Sequence, residues 1–346
     1  MQDAKFAKRK LTTVNFPILG ANVSASTQQV NLELKNFEQN GTLARLWIRI
    51  AGNIVIAGAG AGAATGRDNP EALLVNTTIT TTPDLGVNVV NNVSARGLIR
   101  QALFERGYLK KSPAVADVAG TIAIDSMLPI NFKKASSIKP VEYSLPMAFF
   151  SSIQLQMTFG SRDQLFSGGT NTWDLSGLRI EIWAEYDRNV AGVFHMTCFE
   201  ERSFPAITAS QTDFQLQNIT PGFVYTDMLW RTERNLALVN DILNSLTVQG
   251  GGRVWLPQGD INALWIQQMN RENLVDPAYD PTGLYYLNAL IDGYLTNALD
   301  SLDSQLDLKA DVTSGAGSQF IILTSKRCKP NALQVNPIAA TAAVVA

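Results

Sequence analysis

The chain holds one histidine in 346 residues, His195 in "GVFHMTCF". That excludes a histidine-rich metal site, and a Ser-His-Asp triad would have to use this single imidazole. No G-x-S-x-G accompanies it, so a strand histidine making structural hydrogen bonds is expected. There are only two cysteines, Cys198 and Cys328. They make no disulfide framework and no spaced zinc pairs, and a reducing compartment fits them. Charge is scarce at 17%, below the usual quarter. So sparsely charged a surface points to cover by other chains. The formal charge of -2 gives no global pull toward nucleic acid. No apolar run reaches membrane-spanning length, so a soluble chain is expected. "MQDAKFAKRKL" has no apolar stretch behind its charges, so it does not read as a signal peptide.

What the chain does have is apolar residues, 46% of the total, enough for a large core and, at this length, for two domains. Its most suggestive stretch is "IAGNIVIAGAGAGAATGRDNP", residues 50–70. A dinucleotide fingerprint needs G-x-G-x-x-G, but after Gly60 and Gly62 the next glycine is Gly66, one residue late. A phosphate loop needs G-K-[ST], and Gly66 is followed by Arg67 and Asp68. Pro70 stands where a helix should begin. The expected structure is a loop of small residues between strands, without cofactor.

Period-two alternation runs through the rest. "VNLELKNF" places Val30, Leu32 and Leu34 on one face and Asn31, Glu33 and Lys35 on the other. "SIQLQMTFG" sets Ile153, Leu155, Met157 and Phe159 against Gln154, Gln156 and Thr158. "ARLWIRIAGNIVIAG", "LRIEIWAEYD", "GFVYTDMLW", "SQLDLKADV" and "SQFIILTSKRC" continue the habit, separated by polar, Gly-rich turns. Helical pattern is scarce. A short helix is expected over 96–105. A second is expected over 236–246, with Leu238, Ile242, Leu243 and Leu246 on one stripe and Asn235 as cap. "INALWIQQMNREN" is a third candidate. None alternates regularly with strands, so the class is mostly antiparallel β.

The halves echo each other. "STQQVNLELKNFEQNG" precedes "TLARLWIRI", as "SQTDFQLQNITPG" precedes "FVYTDMLWRTERN". Each half ends with a Gly-rich loop and a long strand. One β-rich unit made twice is expected, over 13–190 and 193–328, with a basic segment at 1–12 and an apolar arm at 329–346. About eight strands per unit fit two tandem jelly rolls, eight-stranded antiparallel sandwiches with a few short helices.

In this order of strands the chain resembles the double jelly-roll major capsid proteins of tailless icosahedral viruses with an internal membrane, the tectivirus and adenovirus lineage. "VNLELKNF" and "ARLWIRIAGNIVI" resemble the opening strands of the first roll, "GTIAIDSMLPINF", "SSIQLQMTFGS" and "LRIEIWAEYD" its closing ones. "FVYTDMLWRTERN" resembles the second roll's early strand, and "PTGLYYLNALIDGY" with "LDLKADVTSGAGSQFIIL" its last three. The resemblance lies in pattern over nearly the whole chain, with no signature motif. It implies a homotrimer whose six rolls form a pseudo-hexagonal capsomer, with no catalytic residue and no cofactor. It implies as partners neighbouring capsomers, penton and minor capsid proteins and the inner viral membrane, with no specific nucleic-acid contact. It places the chain in a virion of bacteriophage type, assembled in the host cytoplasm.

Four basic residues, Lys5, Lys8, Arg9 and Lys10, interleave with Phe6 and Leu11. They are the candidate membrane- or shell-facing residues, each worth about 1 kcal/mol near an anionic surface. The apolar "NPIAATAAVVA" is expected to dock on a neighbouring subunit. The pairs Glu200 with Glu201 and Asp300 with Asp303 read as solvated loops rather than as an acid and a base. The other reading is a two-domain carbohydrate- or receptor-binding protein of lectin or fibre type, stacking sugars on exposed Trp173, Trp255 and Trp265.

Overall fold

The computed structural model describes residues 6–15, 28–35, 37–38, 41–58, 65–66, 68–106, 115–135, 137–188, 190, 192–204, 207–215, 219–250, 253–256, 282–290, 299–302, 305–328 and 333–335. The strands build one topology twice. In the first roll, Phe6–Asn15, Thr172–Arg188, Gly41–Ala57 and Gly120–Asn131 lie side by side in that order, with the short strand Leu145–Pro146 on the start of Gly41–Ala57. Facing them, Gln28–Leu34, Ser152–Phe159, Leu74–Thr82 and Val90–Val93 form the other sheet. The second roll repeats this. Thr197–Ser203, Ser318–Arg327, Val224–Arg234 and Leu284–Asn288 make one sheet, with Leu299–Asp300 on the start of Val224–Arg234. Gln211–Gln215, Asp307–Val312, Leu243–Gly250 and Arg253–Leu256 make the other. Each roll thus has eight principal strands in matching order. The strand Phe6–Asn15 carries part of the basic segment into the first roll's sheet.

Alternation explains the pairing. Along Ser152–Phe159 the side chains of Ile153, Leu155, Met157 and Phe159 are buried while Gln154 and Gln156 are exposed. Leu155 lies in register with Leu32 on one side and Ile79 on the other. A one-residue slip would turn this whole row to solvent, at about 1.5–3 kcal/mol for each large apolar side chain. The two longest strands, Gly41–Ala57 and Thr172–Arg188, bend where the register shifts between Asp174 and Gly177. Gly52 sits there with φ +137°, and a Cβ on it would lie 2.1 Å from the Gly177 carbonyl oxygen. Only glycine fits that crossing.

Two sequence expectations need correction. The stripe 236–246 is not a helix. Asn235 and Leu236 have φ of 50° and 68° and form the tip of a hairpin, pairing Glu233 with Leu238 and Arg234 with Ala237. The next strand, Leu243–Gly250, buries Leu243, Leu246 and Val248 against Val312, Ala310 and Leu308. Asn tolerates the left-handed conformation that such a turn requires, so Asn235 turns the chain instead of capping a helix. The cysteines do pair. Cys198 and Cys328 form a disulfide across 130 residues, with Cα atoms 5.0 Å apart, so a reducing compartment is no longer implied. It joins the first strand of the second roll to the end of its last, tying that roll's two ends together. The helix expected at 96–105 is present as Ala95–Arg106. The candidate at 261–273 lies outside the described residues.

Candidate functional site: the joint between the rolls and the outward sheet face

The rolls share a seam. Val90–Val93 of the first pairs in parallel with Thr197–Ser203 of the second, Val90 opposite Phe199 and Asn91 opposite Glu200. Two sheets thereby fuse into one of ten strands. The helix Ala95–Arg106 is laid over the second roll's sheet. Ser94 begins it, its Oγ accepting the Gly97 amide at 3.2 Å, a serine N-cap. The same hydroxyl donates to Glu201 Oε1 at 2.8 Å. Gly97 permits the close approach, since a Cβ there would meet Glu201 Oε2 at 2.1 Å. Farther along, Phe104 stacks on Tyr286 with ring centroids 4.9 Å apart.

Charge fills the rest of the joint. Lys134 Nζ of the first roll lies 2.6 Å from Asp227 Oδ2 of the second, the side chains 1% and 3% exposed. Gln101 donates to the other Asp227 oxygen at 2.8 Å. Arg231 reaches Glu201 at 3.0 Å and Glu233 at 3.4 Å. Arg96 links Glu233 at 3.6 Å to Asp68 at 2.9 Å, and Arg100 joins Asp68 at 3.1 Å. Burial alone would raise the Asp68 carboxyl, but Arg100 and Arg96 outweigh it and hold it below its ordinary value. Glu201 goes the other way: burial pushes it up, and Arg231 only partly offsets that. Buried pairs of this kind add little net stability over apolar packing, but losing one partner costs about 3–5 kcal/mol. Lys134 with Asp227 and Arg96 with Glu233 cross from one roll to the other.

The second feature is the outward face of the sheet that contains Phe6–Asn15. Trp47 and Trp183 stand opposite each other on neighbouring strands. Their indoles donate to Glu185 at 2.9 Å and Glu181 at 3.3 Å. Arg45 pairs with Glu185 at 3.0 Å and lies over the Trp47 ring at 4.9 Å. Arg49 forks onto Asp125 with two bonds of 2.7 Å and reaches Glu181 at 3.1 Å. Lys10 pairs with Glu181 at 3.1 Å and lies over the Trp183 ring at 5.6 Å. The Lys10 bond, with those of Arg49, Trp183 and Arg179, lowers the Glu181 carboxyl to about 2 against opposing burial. Of the basic candidates, Lys10 is therefore committed to this lattice. Lys8 and Arg9 lie in register with Glu185 and Ala184, and Lys5 lies outside the described residues.

The remaining candidates have structural surroundings. Gly58 ends the long strand with φ +152°. The chain resumes as Thr65–Gly66, which pairs with Phe166–Ser167, then a short 3-10 turn Pro70–Leu73 and a strand. Among the described residues no α-helix directly follows the glycines to hold a phosphate. Asp68 points instead to Arg96 and Arg100. His195 lies between strands rather than within one. Its backbone amide donates to the Glu142 carbonyl at 2.6 Å, its ring packs on Tyr143, and burial lowers its pKa. Glu200 and Glu201 are not in a solvated loop: both lie in the strand Thr197–Ser203, Glu200 buried and the Glu201 side chain 9% exposed. Burial would raise Glu200, but Lys326 at 2.7 Å and Arg202 at 2.7 Å outweigh it and lower it. Asp300 is exposed, and Asp303 lies outside the described residues. Trp173 is 1% exposed, its indole donating to Asp117 at 2.8 Å, so it is not a surface platform for a sugar. The Trp255 side chain and Trp265 lie outside the described residues. Among the described residues there is no group of three or more metal-ligating side chains and no helix long and apolar enough to cross a membrane.

No sequence-family description matches the chain, and no curated protein matches it in sequence. Solved structures do match in fold. The major capsid protein of Sulfolobus turreted icosahedral virus aligns with TM-score 0.65 at 12% identity, over 94% of this chain and 98% of that one. Major capsid protein P2 of bacteriophage PM2 aligns with TM-score 0.58 at 10% identity, over 96% of this chain and 99% of that one. PBCV-1 VP54 aligns with TM-score 0.59 at 10% identity, over 97% of this chain and 98% of that one. The double jelly-roll fold expected from the sequence is therefore the fold of this chain.

Proposed function

We propose that the chain is a viral major capsid protein, a structural tile and not an enzyme. One observation carries this reading. Over 94–97% of its length the chain aligns with capsid proteins that it covers almost end to end. The buried charges Lys134 with Asp227 and Arg96 with Glu233 are engaged with one another across the joint. A rigid two-roll unit suits a tile because its two halves must keep one spacing in every copy.

In this reading three copies form a pseudo-hexagonal capsomer, since two similar rolls per chain make six corners only at three-fold symmetry. The capsomers tile an icosahedral virion and meet neighbouring capsomers, penton and minor capsid proteins. Lys5, Lys8 and Arg9 face an inner membrane or the shell, and Lys10 anchors the strand that carries them. The arm at 329–346 ties adjacent tiles. Its short strand Leu333–Val335 pairs with Gly192–Phe194, and 336–346 lie outside the described residues. The division into rolls at 13–190 and 193–328 belongs to the same proposal, with the strand Phe6–Asn15 extending the first roll back to residue 6. The lectin or fibre reading loses Trp173 to the core, and no observation favours it. Light scattering and electron microscopy of the purified chain test the proposal: trimers and particles support it, and a stable monomer at micromolar concentration overturns it.

A further inference from the structure

The segment that leads from the first roll into the second is held in an unfavourable shape. Met196, a bulky residue 1% exposed, has φ of 46°. A residue other than glycine persists in the left-handed region only where its surroundings hold it there. Here hydrogen bonds hold it from both sides. The His195 and Met196 amides both donate to the Glu142 carbonyl, at 2.6 and 3.4 Å, and the Cys328 amide donates to the Met196 carbonyl at 3.0 Å. Just before them, Gly192–Phe194 pairs with the arm's strand Leu333–Val335. His195 sits within this segment and is the chain's only histidine. Its ring packs on Tyr143 with centroids 5.8 Å apart, and its side chain is 18% exposed. Nδ1 is buried with no hydrogen-bond partner among the described residues. Nε2 lies 3.8 Å from Glu142 Oε2, too far for a hydrogen bond. The other oxygen of that carboxylate is paired with Lys139 at 3.2 Å. Around the ring, Arg327 and Lys139 oppose a positive charge and Glu142 alone favours one.

We propose that His195 is an acid-operated latch: protonation of its ring opens the segment between the rolls and frees the arm's strand Leu333–Val335 from Gly192–Phe194. An imidazolium carries N–H on both nitrogens. Its Nδ1–H would be buried without an acceptor, and its charge would face two cations and one carboxylate already engaged with Lys139. Opening the segment hydrates the ring and relaxes Met196, so strain and charge act in the same direction. The sign follows from the surroundings. Burial first, then Arg327, lowers the His195 pKa below its ordinary 6.5. The stabilisation of the closed form is therefore complete above about 6.5 and is lost as pH falls through the lowered value. That window lies above the one set by Glu181, whose carboxyl is held at about 2. The latch is a property of the single chain and stands whatever the arm binds. On the reading of the arm as a tie between tiles, mild acid is the signal that unties them.

The experiment compares the full chain with His195→Phe, which keeps a ring against Tyr143 and removes the titration. Hydrogen exchange is measured at about pH 7.5 and about pH 5 and expressed as protection factors, which remove the intrinsic pH dependence of exchange. NMR of the single imidazole reads its protonation directly. In the wild type, protection of Gly192–Phe194 and Leu333–Val335 should fall at least about threefold at the lower pH, while Ser152–Phe159 in the first roll keeps its protection. The imidazole should titrate with a midpoint below 6.5. In His195→Phe, protection of the two short strands should not change with pH. Equal protection of these strands at both pH values in the wild type overturns the latch. So does a fall of the same size in His195→Phe, or an imidazole midpoint at or above 6.5. If His195→Phe misfolds, His195→Gln is scored by the same criteria. None of these outcomes bears on the capsid reading, which particles and trimers test separately.

Discussion

Lys134 Nζ and Asp227 Oδ2 lie 2.6 Å apart and almost wholly buried, one on each roll. Because neither charge can turn to water, removing one strands the other. Asp227→Asn or Lys134→Met should each destabilise the protein by about 3–5 kcal/mol, whereas Lys134→Met with Asp227→Leu should recover most of that loss. Chemical denaturation followed by fluorescence checks this. A loss in the double variant equal to the sum of the two single losses would mean that the pair does not act as a unit.

Glu181 gives a pH dependence of definite sign. Its folded carboxyl is held at about 2 against an ordinary 4.5, so the stabilisation is complete above about 4.5 and fades as pH falls toward 2. Since Lys10 is one of its partners, acid should loosen the strand Phe6–Asn15. Trp183, whose indole donates to Glu181, supplies the signal: its fluorescence should titrate in that window, and Glu181→Gln should flatten the titration. Glu201, raised by burial, contributes oppositely, its share being lost as pH rises through its folded pKa.

Gly52→Ala should cost about 1–3 kcal/mol, for the strained φ and the clash with the Gly177 carbonyl. Gly66→Ala, whose added Cβ would come no nearer than 4.0 Å to Phe166, should be almost silent. Thermal unfolding of the two variants checks the contrast, which fails if they melt together.

The Cys198–Cys328 bond closes 130 residues of chain, a length for which the loss of unfolded-state freedom is about 4–5 kcal/mol. Cys198→Ser with Cys328→Ser should lower the denaturation midpoint, with hydrogen exchange rising first in the second roll's strands. Unchanged exchange there would contradict the staple.

Much of the fold was legible because a strand with one buried face writes a period of two, as Ile153, Leu155, Met157 and Phe159 do. The matched sheet orders were foreshadowed by the echo between "VNLELKNF" and its counterpart in the second half. Local pattern misled at Leu238, Ile242, Leu243 and Leu246, where apolar spacing imitates a helix although Asn235 and Leu236 turn the chain between strands. The joint was illegible. Ser94, Lys134, Glu201 and Asp227 are ordinary polar residues in sequence, and only the packing of roll on roll gathers and buries them. The cysteine pair was missed for the same reason. Lys10 reads in sequence as a membrane- or shell-facing residue because Glu181, its partner, lies far along the chain.

Electron microscopy of the purified full chain, with its mass in solution measured on the same sample, tests the central claim most directly. The account predicts a trimer with a six-cornered outline, one corner for each roll, and shells built from such units. A chain that remains a monomer at micromolar concentration and forms no such outline would contradict it.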